Sequence, residues 1–328
     1  MLGKNLDPEG LVAKGQSSRA WIGEGMPTYE HTVPESPDAL RLDAYCARVF
    51  VAYQSRNQAR KAIKERRILV NGEKARTDWF PQPGWVISAT VPASAVLPVL
   101  KIDLDILFQD DHLAVVFKPP GIMTRGNTRR TVHRALRHNM DISPLADALP
   151  MPDSCHRLDY KTAGLLVVAR TVSARAGLLT MFAERRIHKG YRALVTGRFD
   201  GEGVIDSPLD GRDSLTRWQA VEHTRSLHVG WFTTVDLQPI TGRTHQLRRH
   251  MAELDHPILG DEVYTGRHKL LRRQGLFLAS LHLDFQHPIT GEVVVVDAPE
   301  PKKFQVLRAR EARRWTAHHS SRPDESPD

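Results

Sequence analysis

The sequence predicts an α+β protein of two folded units: a small N-terminal α/β unit, and a larger one built on a mixed, mainly antiparallel sheet. Three observations predict it. The chain has 328 residues, 41% of them apolar, which is more than one domain needs and enough for two. A Pro-punctuated stretch, VPASAVLPV at 91–99, breaks the pattern, because proline supports neither helix continuation nor strand pairing. Beyond residue 105, alternating and β-branched runs dominate, with helical pieces interspersed rather than strictly alternating.

Taken in order, residues 1–37 mix Gly, Pro, Ser and charge without a sustained period and read as a flexible extension, as do the final residues 313–328. The small unit spans 38–92. RLDAYCARVF repeats apolar residues at helical spacing, Ser55 is an N-cap for SRNQARKAIKERR, and ILVNGEKA is a hairpin turning at Asn71-Gly72. On the second helix Arg56, Arg60, Lys64 and Arg67 share one stripe while Ala59, Ala62 and Ile63 take the opposite side. A solvated face is the plain reading of such a stripe. From 56 to 67, however, six basic residues stand against one acid, Glu65, which leaves little internal pairing and points to phosphate contact.

After a linker at 93–104, the large unit runs from 105 to 312. DILFQDDHLAVVFKPPG gives two strands around Asp110-Asp111, and GYRALVTGRF, HVGWFTTVDLQ, LFLASLHLDFQ and EVVVVDAP add more. TVHRALRHN, VSARAGLLTMFAERR and THQLRRHMAEL are the helical pieces between them.

Composition bounds the function. Lys and Arg number 46 against 38 Asp and Glu, a net charge of +8 that suits a polyanionic partner. Cys46 and Cys155 support neither a disulfide framework nor a zinc site, which fits a reducing compartment. No apolar run resembles a signal core or a bilayer span, so a cytoplasmic, soluble protein without membrane partners is expected. Sixteen histidines invite a metal hypothesis, but the i, i+5 spacing of His245 and His250 does not align two ligands on one helical face, and no metal is expected.

The most ionisable stretch is CHRLDYKTAGLLVVAR at 155–170. Its second half reads as a buried strand, so Asp159 sits in the loop just before it, where a rigid sheet holds a side chain at the edge of a cleft. Read alone, Asp159 is better explained as a turn residue accepting backbone N–H bonds.

His156-Arg157-Leu158-Asp159, however, resembles the signature of the RluA-type pseudouridine synthases. Four further segments resemble that family in the same order: Lys118-Pro119-Pro120-Gly121; His188-Lys189-Gly190-Tyr191-Arg192-Ala193; TGRTHQLR at 241–248 followed by HPILGD at 256–261; and HPITGE at 287–292. The segments RLDAYCA, SRNQARKAIKERRILVNGEKA and PGWVIS likewise resemble the small RNA-binding domain named after ribosomal protein S-four, whose cationic helix lies on structured RNA. The resemblance implies a pseudouridine synthase fold and an isomerase that breaks the N-glycosidic bond of uridine in RNA, with rRNA the expected substrate and tRNA the alternative, and rejoins the ribose to carbon five. It implies no cofactor and a monomer that meets RNA.

A stacked base must be turned out before it can react, at a cost of a few kcal/mol. The resemblance assigns catalysis to Asp159, Tyr191 and Arg248, and RNA contact to Arg157, Lys118 and Arg243 beside the stripe of Arg56, Arg60, Lys64 and Arg67. Asp159 needs a cation beside it in a dry site. Arg248 is expected to supply it, from the flank of a helix capped by Thr244 whose Leu247, Met251 and Leu254 face inward. Without its motif Arg248 would read as a structural ion pair. Tyr191, which shares a strand face with Ala193 and Val195, would read as core. Two places depart from the family pattern, Tyr160-Lys161-Thr162-Ala163-Gly164 after the signature and Ile122-Met123-Thr124-Arg125 after KPPG; both bear on target identity. The rival reading, a non-catalytic RNA binder, has no need of a carboxylate facing a polyanion.

Overall fold

The protein is described by a computed structural model over residues 28–35, 37, 39–50, 53, 55–90, 99–126, 128–265 and 274–320. The N-terminal unit comprises β1 (Thr28–Thr32), α1 (Leu42–Val49), α2 (Arg56–Lys64), β2 (Ile68–Val70), β3 (Glu73–Lys74) and β4 (Val86–Thr90), with the strands ordered β1-β4-β2-β3 in one antiparallel sheet. Ser55 accepts the Gln58 N–H at 3.3 Å and so caps α2 as its sequence predicts. Asn71 and Gly72 both take positive φ, which a two-residue turn between β2 and β3 demands. Leu42, Cys46, Ala59, Ile63, Ile68 and Ile87 close this unit's own apolar cluster.

The expected N-terminal extension is corrected at its inner end. Residues 28–32 form β1, paired to β4 from Thr28↔Thr90 to Thr32↔Val86. Its inward groups are Tyr29, which packs on the cluster, and His31, whose Nε2 meets Tyr45 Oη at 2.9 Å. Hydropathy does not mark such residues as a core face. Burial lowers the His31 pKa to about 4, so the ring sits there uncharged.

The larger unit contains β5 (Ile106–Gln109), β6 (Leu113–Lys118), α3 (Val132–Asn139), β7 (Ala148–Ser154), β8 (Ala163–Thr171), α4 (Val172–Ala183), β9 (His188–Thr196), β10 (Glu202–Ile205), β11 (Thr216–Ser226), β12 (Gly230–Pro239), α5 (Gln246–Glu253), β13 (Leu278–Gln286), β14 (Val293–Asp297) and α6 (Lys302–Ser320). Its ten strands form one mixed sheet ordered β10-β11-β12-β9-β13-β8-β6-β5, with β14 on β13 and β7 on β8. Every pairing is antiparallel except β13 with β8. β8 lies inside the sheet with all nine residues buried, which is why AGLLVVART carries almost no charge. At its start Gly164 takes φ +123°, and a Cβ there would collide with the Ser280 backbone, so the β8–β13 junction at the centre of the sheet requires glycine.

Two other expectations change. Residues 91–98 of the linker lie outside the described residues, but 99–104 are not a free connector. Leu104 is buried, Leu100 and Ile102 pack beneath α3, and the Leu104 N–H donates to Asn139 Oδ1 at 2.7 Å. The expected C-terminal tail is helical as far as Ser320, because α6 continues through residue 312. Its inward residues are Phe304, Leu307 and Glu311; beyond them no apolar stripe marks the helix. Residues 321–328 lie outside the described residues.

Candidate active site

Asp159 lies in the loop between β7 and β8, and four contacts fix that loop. His156 Nε2 accepts the Val167 N–H at 3.0 Å, and its ring lies tilted against Phe182 with centroids 4.7 Å apart. Burial lowers the His156 pKa to about 3, so the ring is a neutral acceptor. Thr124 Oγ1 donates to the Leu158 carbonyl and accepts the Leu158 N–H, both at 3.1 Å. The Gly121 N–H donates to the Tyr160 carbonyl at 2.8 Å. Finally Lys118 Nζ donates to the carbonyls of Pro119, Tyr160 and Thr162 at 3.2, 3.4 and 2.7 Å.

That placement corrects the assignment of Lys118 to RNA. The residue is fully buried, its ammonium spent on the carbonyls that frame Asp159. Burial lowers its pKa to about 8, with the Asp159 charge opposing the shift.

Asp159 faces a cavity of about 470 Å³ between this loop, β9 and the 239–248 segment. It is the only carboxylate among the described lining residues, against five cationic side chains, Arg157, Arg185, Lys189, Arg243 and Arg248. Its carboxylate, 19% exposed, lies 3.9 Å from His245 Nε2, and its charge acts on Lys118, Tyr191, His245 and Arg248. Tyr191 reaches the cavity from β9. Burial pushes its phenol up to about 12, a shift the nearby Ser280 hydroxyl opposes and the Asp159 charge reinforces, so it stays a neutral hydrogen-bond donor at ordinary pH.

Arg248 does not ion-pair with Asp159 as expected. Its Nε and Nη2 hold both oxygens of Asp261, at 2.6 and 2.8 Å, and Asp261 also accepts the N–H groups of Val263 and Tyr264. Burial pulls the Arg248 pKa down, but the bonds and charge of Asp261 hold it above the ordinary range. The Tyr264 ring lies 5.0 Å from the guanidinium carbon and its hydroxyl meets His245 Nδ1 at 3.0 Å. Arg248 therefore faces Asp159 as a fixed neighbouring charge rather than as a partner.

The helix start also differs. The N-cap is His245, in the left-handed region at φ 56°, not Thr244, and Leu254 is 36% exposed rather than inward. Gln246 locks this turn: its Oε1 accepts from Thr241 Oγ1 and the Arg243 N–H, while its Nε2 donates to the Leu215 carbonyl and Thr216 Oγ1. His245, Lys189 and Asp261 were all inside quoted motifs, yet spacing alone gave them no role; only the folded loop sets His245 opposite Asp159.

Arg157 is exposed at the cavity wall, and no side-chain hydrogen bond or ion pair holds its guanidinium among the described residues. Arg243 lines the same wall and donates to the Asp213 carbonyl at 2.9 Å. The stripe on α2 needs correction. Arg56 and Arg60 reach the buried carboxylate of Asp43 on α1, at 3.0 and 3.8 Å, and Arg67 grips Glu65 at 2.6 Å. Lys64 is the one member of the stripe without a carboxylate among the described residues. Sequence reading missed Asp43 because the two helices meet only in the tertiary structure.

A mixed sheet that presents one carboxylate inside a cation-lined hollow, beside a separate small unit with a basic helix, has the build of an enzyme acting on nucleic acid. The comparisons with known proteins agree. Residues 112–253 match the family described as RNA pseudouridylate synthase and residues 40–86 match the S4 domain. The chain is 33% identical over 310 residues to "Ribosomal large subunit pseudouridine synthase D" of Xanthomonas campestris pv. campestris, an alignment covering 84% of this chain and 90% of the relative. It is 33% identical over 316 residues to the protein of the same name from Escherichia coli O6:H1, covering 85% and 94%. Among solved structures, human RNA Pseudouridylate Synthase Domain Containing 1 superposes with a TM-score of 0.52 at 27% identity, over 69% of this chain and 97% of that one. The chain belongs to the RluA-type RNA pseudouridine synthases and carries an S4 domain. Its activity is the isomerisation of uridine in RNA.

Proposed function

We propose that this enzyme modifies uridines of ribosomal RNA, working in the cytoplasm as a monomer, with Asp159 as the reacting carboxylate and Tyr191 and Arg248 beside it. One observation carries the reading: Asp159 is the sole described acid in a hollow that five cationic side chains also line, an arrangement suited to a polyanion and not to a fold-stabilising pair. The rRNA assignment is supported by relatives named for the large ribosomal subunit.

In the reaction the C1′–N1 bond breaks, the uracil turns, and C1′ bonds to carbon five, whose hydrogen then leaves as a proton while N1 takes one up. Asp159 supplies the charged oxygen this rearrangement needs, as nucleophile or as base and stabiliser at the sugar. The neutral phenol of Tyr191 gives the flipped base an aromatic plane and a hydrogen-bond donor. Arg248, oriented by Asp261, fixes positive charge opposite Asp159 without neutralising it by direct contact. Arg157 and Arg243 hold phosphates at the rim. Residues 38–92 dock the RNA, with Lys64 as the stripe cation that has no carboxylate partner among the described residues.

The test is tritium release from rRNA transcripts labelled at carbon five of uridine. Wild-type protein releases tritium and Asp159→Asn, which keeps the shape but not the charge, does not. Equal release from both removes Asp159 from the chemistry.

A further inference from the structure

Between Gly121 and Met140 the chain carries five arginines, Arg125, Arg129, Arg130, Arg134 and Arg137, and no aspartate or glutamate. None of them lines the catalytic cavity. Arg125 meets Asp153, which also takes Arg175 Nε at 2.8 Å and faces His133 Nδ1 at 3.7 Å. The other four have no carboxylate partner among the described residues. This differs from α2, where α1 and the helix end supply the acids.

Arg134 is the sharpest case. The helix α3 turns it inward until it is 5% exposed, yet its Nε and Nη1 have no hydrogen-bond partner among the described residues. Its strongest charged neighbour is another cation, Arg129, which adds to burial in lowering its pKa. A guanidinium kept from water without an anion is costly, and such a cost is offset when an anion arrives with two acceptor oxygens.

The loop that carries Arg125–Arg130 is tied to the catalytic loop. Thr124 bonds both the N–H and the carbonyl of Leu158, the residue before Asp159, and Met123 bridges to Thr131 at the start of α3. The loop that carries these arginines is therefore held directly against the loop that presents Asp159 to the hollow. Arg129 and Arg130 are exposed.

We propose that Arg134, with Arg129 and Arg130, forms a phosphate-binding site for the RNA backbone next to the flipped nucleotide, separate from the S4 helix. This rests on the reading of the chain as an enzyme acting on RNA. Arg129 and Arg130, both exposed, meet the backbone first, and a side-chain shift that brings the Arg134 fork out to one phosphate gives its Nε and Nη1 the acceptor oxygens they lack.

The test uses full-length protein and an unmodified large-subunit rRNA transcript. Kd is measured by filter binding across a salt series, and Tm without RNA. Arg134→Met removes the unpaired charge, so its Tm holds or rises. Its Kd rises about tenfold, as the loss of a charged hydrogen bond implies, and the salt slope falls by about one. Arg129→Glu with Arg130→Glu, both exposed, raises Kd at least as much. Unchanged Kd and slope in both variants overturn the proposal. So does a fall in the Tm of Arg134→Met with an unchanged Kd for the double variant, which would show that Arg134 is satisfied internally. Binding needs no turnover, so a wild type that releases no tritium would sink the catalytic reading and leave this measurement standing.

Discussion

Removing the carboxylate of Asp261 separates the structure's account of Arg248 from the one the sequence suggests. Arg248 and Asp261 form a pair whose side chains are 6% and 1% exposed, held by bonds of 2.6 and 2.8 Å. Asp261→Ala leaves the guanidinium buried with its charge uncompensated and strips the acceptor from the Val263 and Tyr264 N–H groups. Breaking a buried pair from one side costs about 3–5 kcal/mol. For a domain of this size that corresponds to a Tm lower by about 6–20 °C. Turnover falls as well, by about a hundredfold, because Arg248 is then free to leave its position opposite Asp159. Thermal unfolding and tritium release measure the two effects. Arg248→Met with Asp261→Leu recovers most of the lost stability, since an apolar pair of similar volume carries no desolvation cost, but does not recover activity. A double-mutant cycle completes the test: Arg248 couples strongly to Asp261 and weakly to Asp159. A Tm within about 2 °C of wild type for Asp261→Ala, or a larger coupling to Asp159, refutes the argument.

Two further outcomes follow from charge placement. Lys64→Glu raises the KM for structured rRNA and leaves Tm unchanged. Arg56→Met with Arg60→Met instead lowers stability by about 1–3 kcal/mol, because the buried Asp43 loses both cations; equal Tm shifts for the two variants would contradict this. Where β14 pairs with β13, His282 bridges Asp297 at 2.7 Å and Asp284 at 3.2 Å, and the Asp297 bond raises its pKa above the ordinary value of 6.5, against partial burial and with help from Asp284. A raised folded pKa makes this stabilisation fully present below pH 6.5 and lost as pH rises through the folded value. The Tm gap between wild type and His282→Gln is therefore widest in mild acid and narrows above neutrality. A gap independent of pH removes His282 from the account.

The sequence by itself determined the elements whose signals are local. Ser55 caps α2, Asn71-Gly72 turns a hairpin, and the charge-free run after Asp159 is a buried central strand, because capping, turn geometry and hydrophobic burial are each written within a few neighbouring residues. Its ordered motifs also identified the family and brought Asp159, Tyr191 and Arg248 into one cavity. It could not decide pairings between distant segments. Asp43 takes Arg56 and Arg60 of the α2 stripe, Asp261 takes Arg248, and Lys118 turns inward onto the carbonyls around Asp159; in each case the partner comes from another element, and Coulomb energy and desolvation depend on where the fold places it. β1 and the end of α6 escaped for a related reason: their residues are polar or aromatic and become structural only when a distant strand is there to meet them, β4 for β1 and Arg225 of β11 for Trp315 of α6.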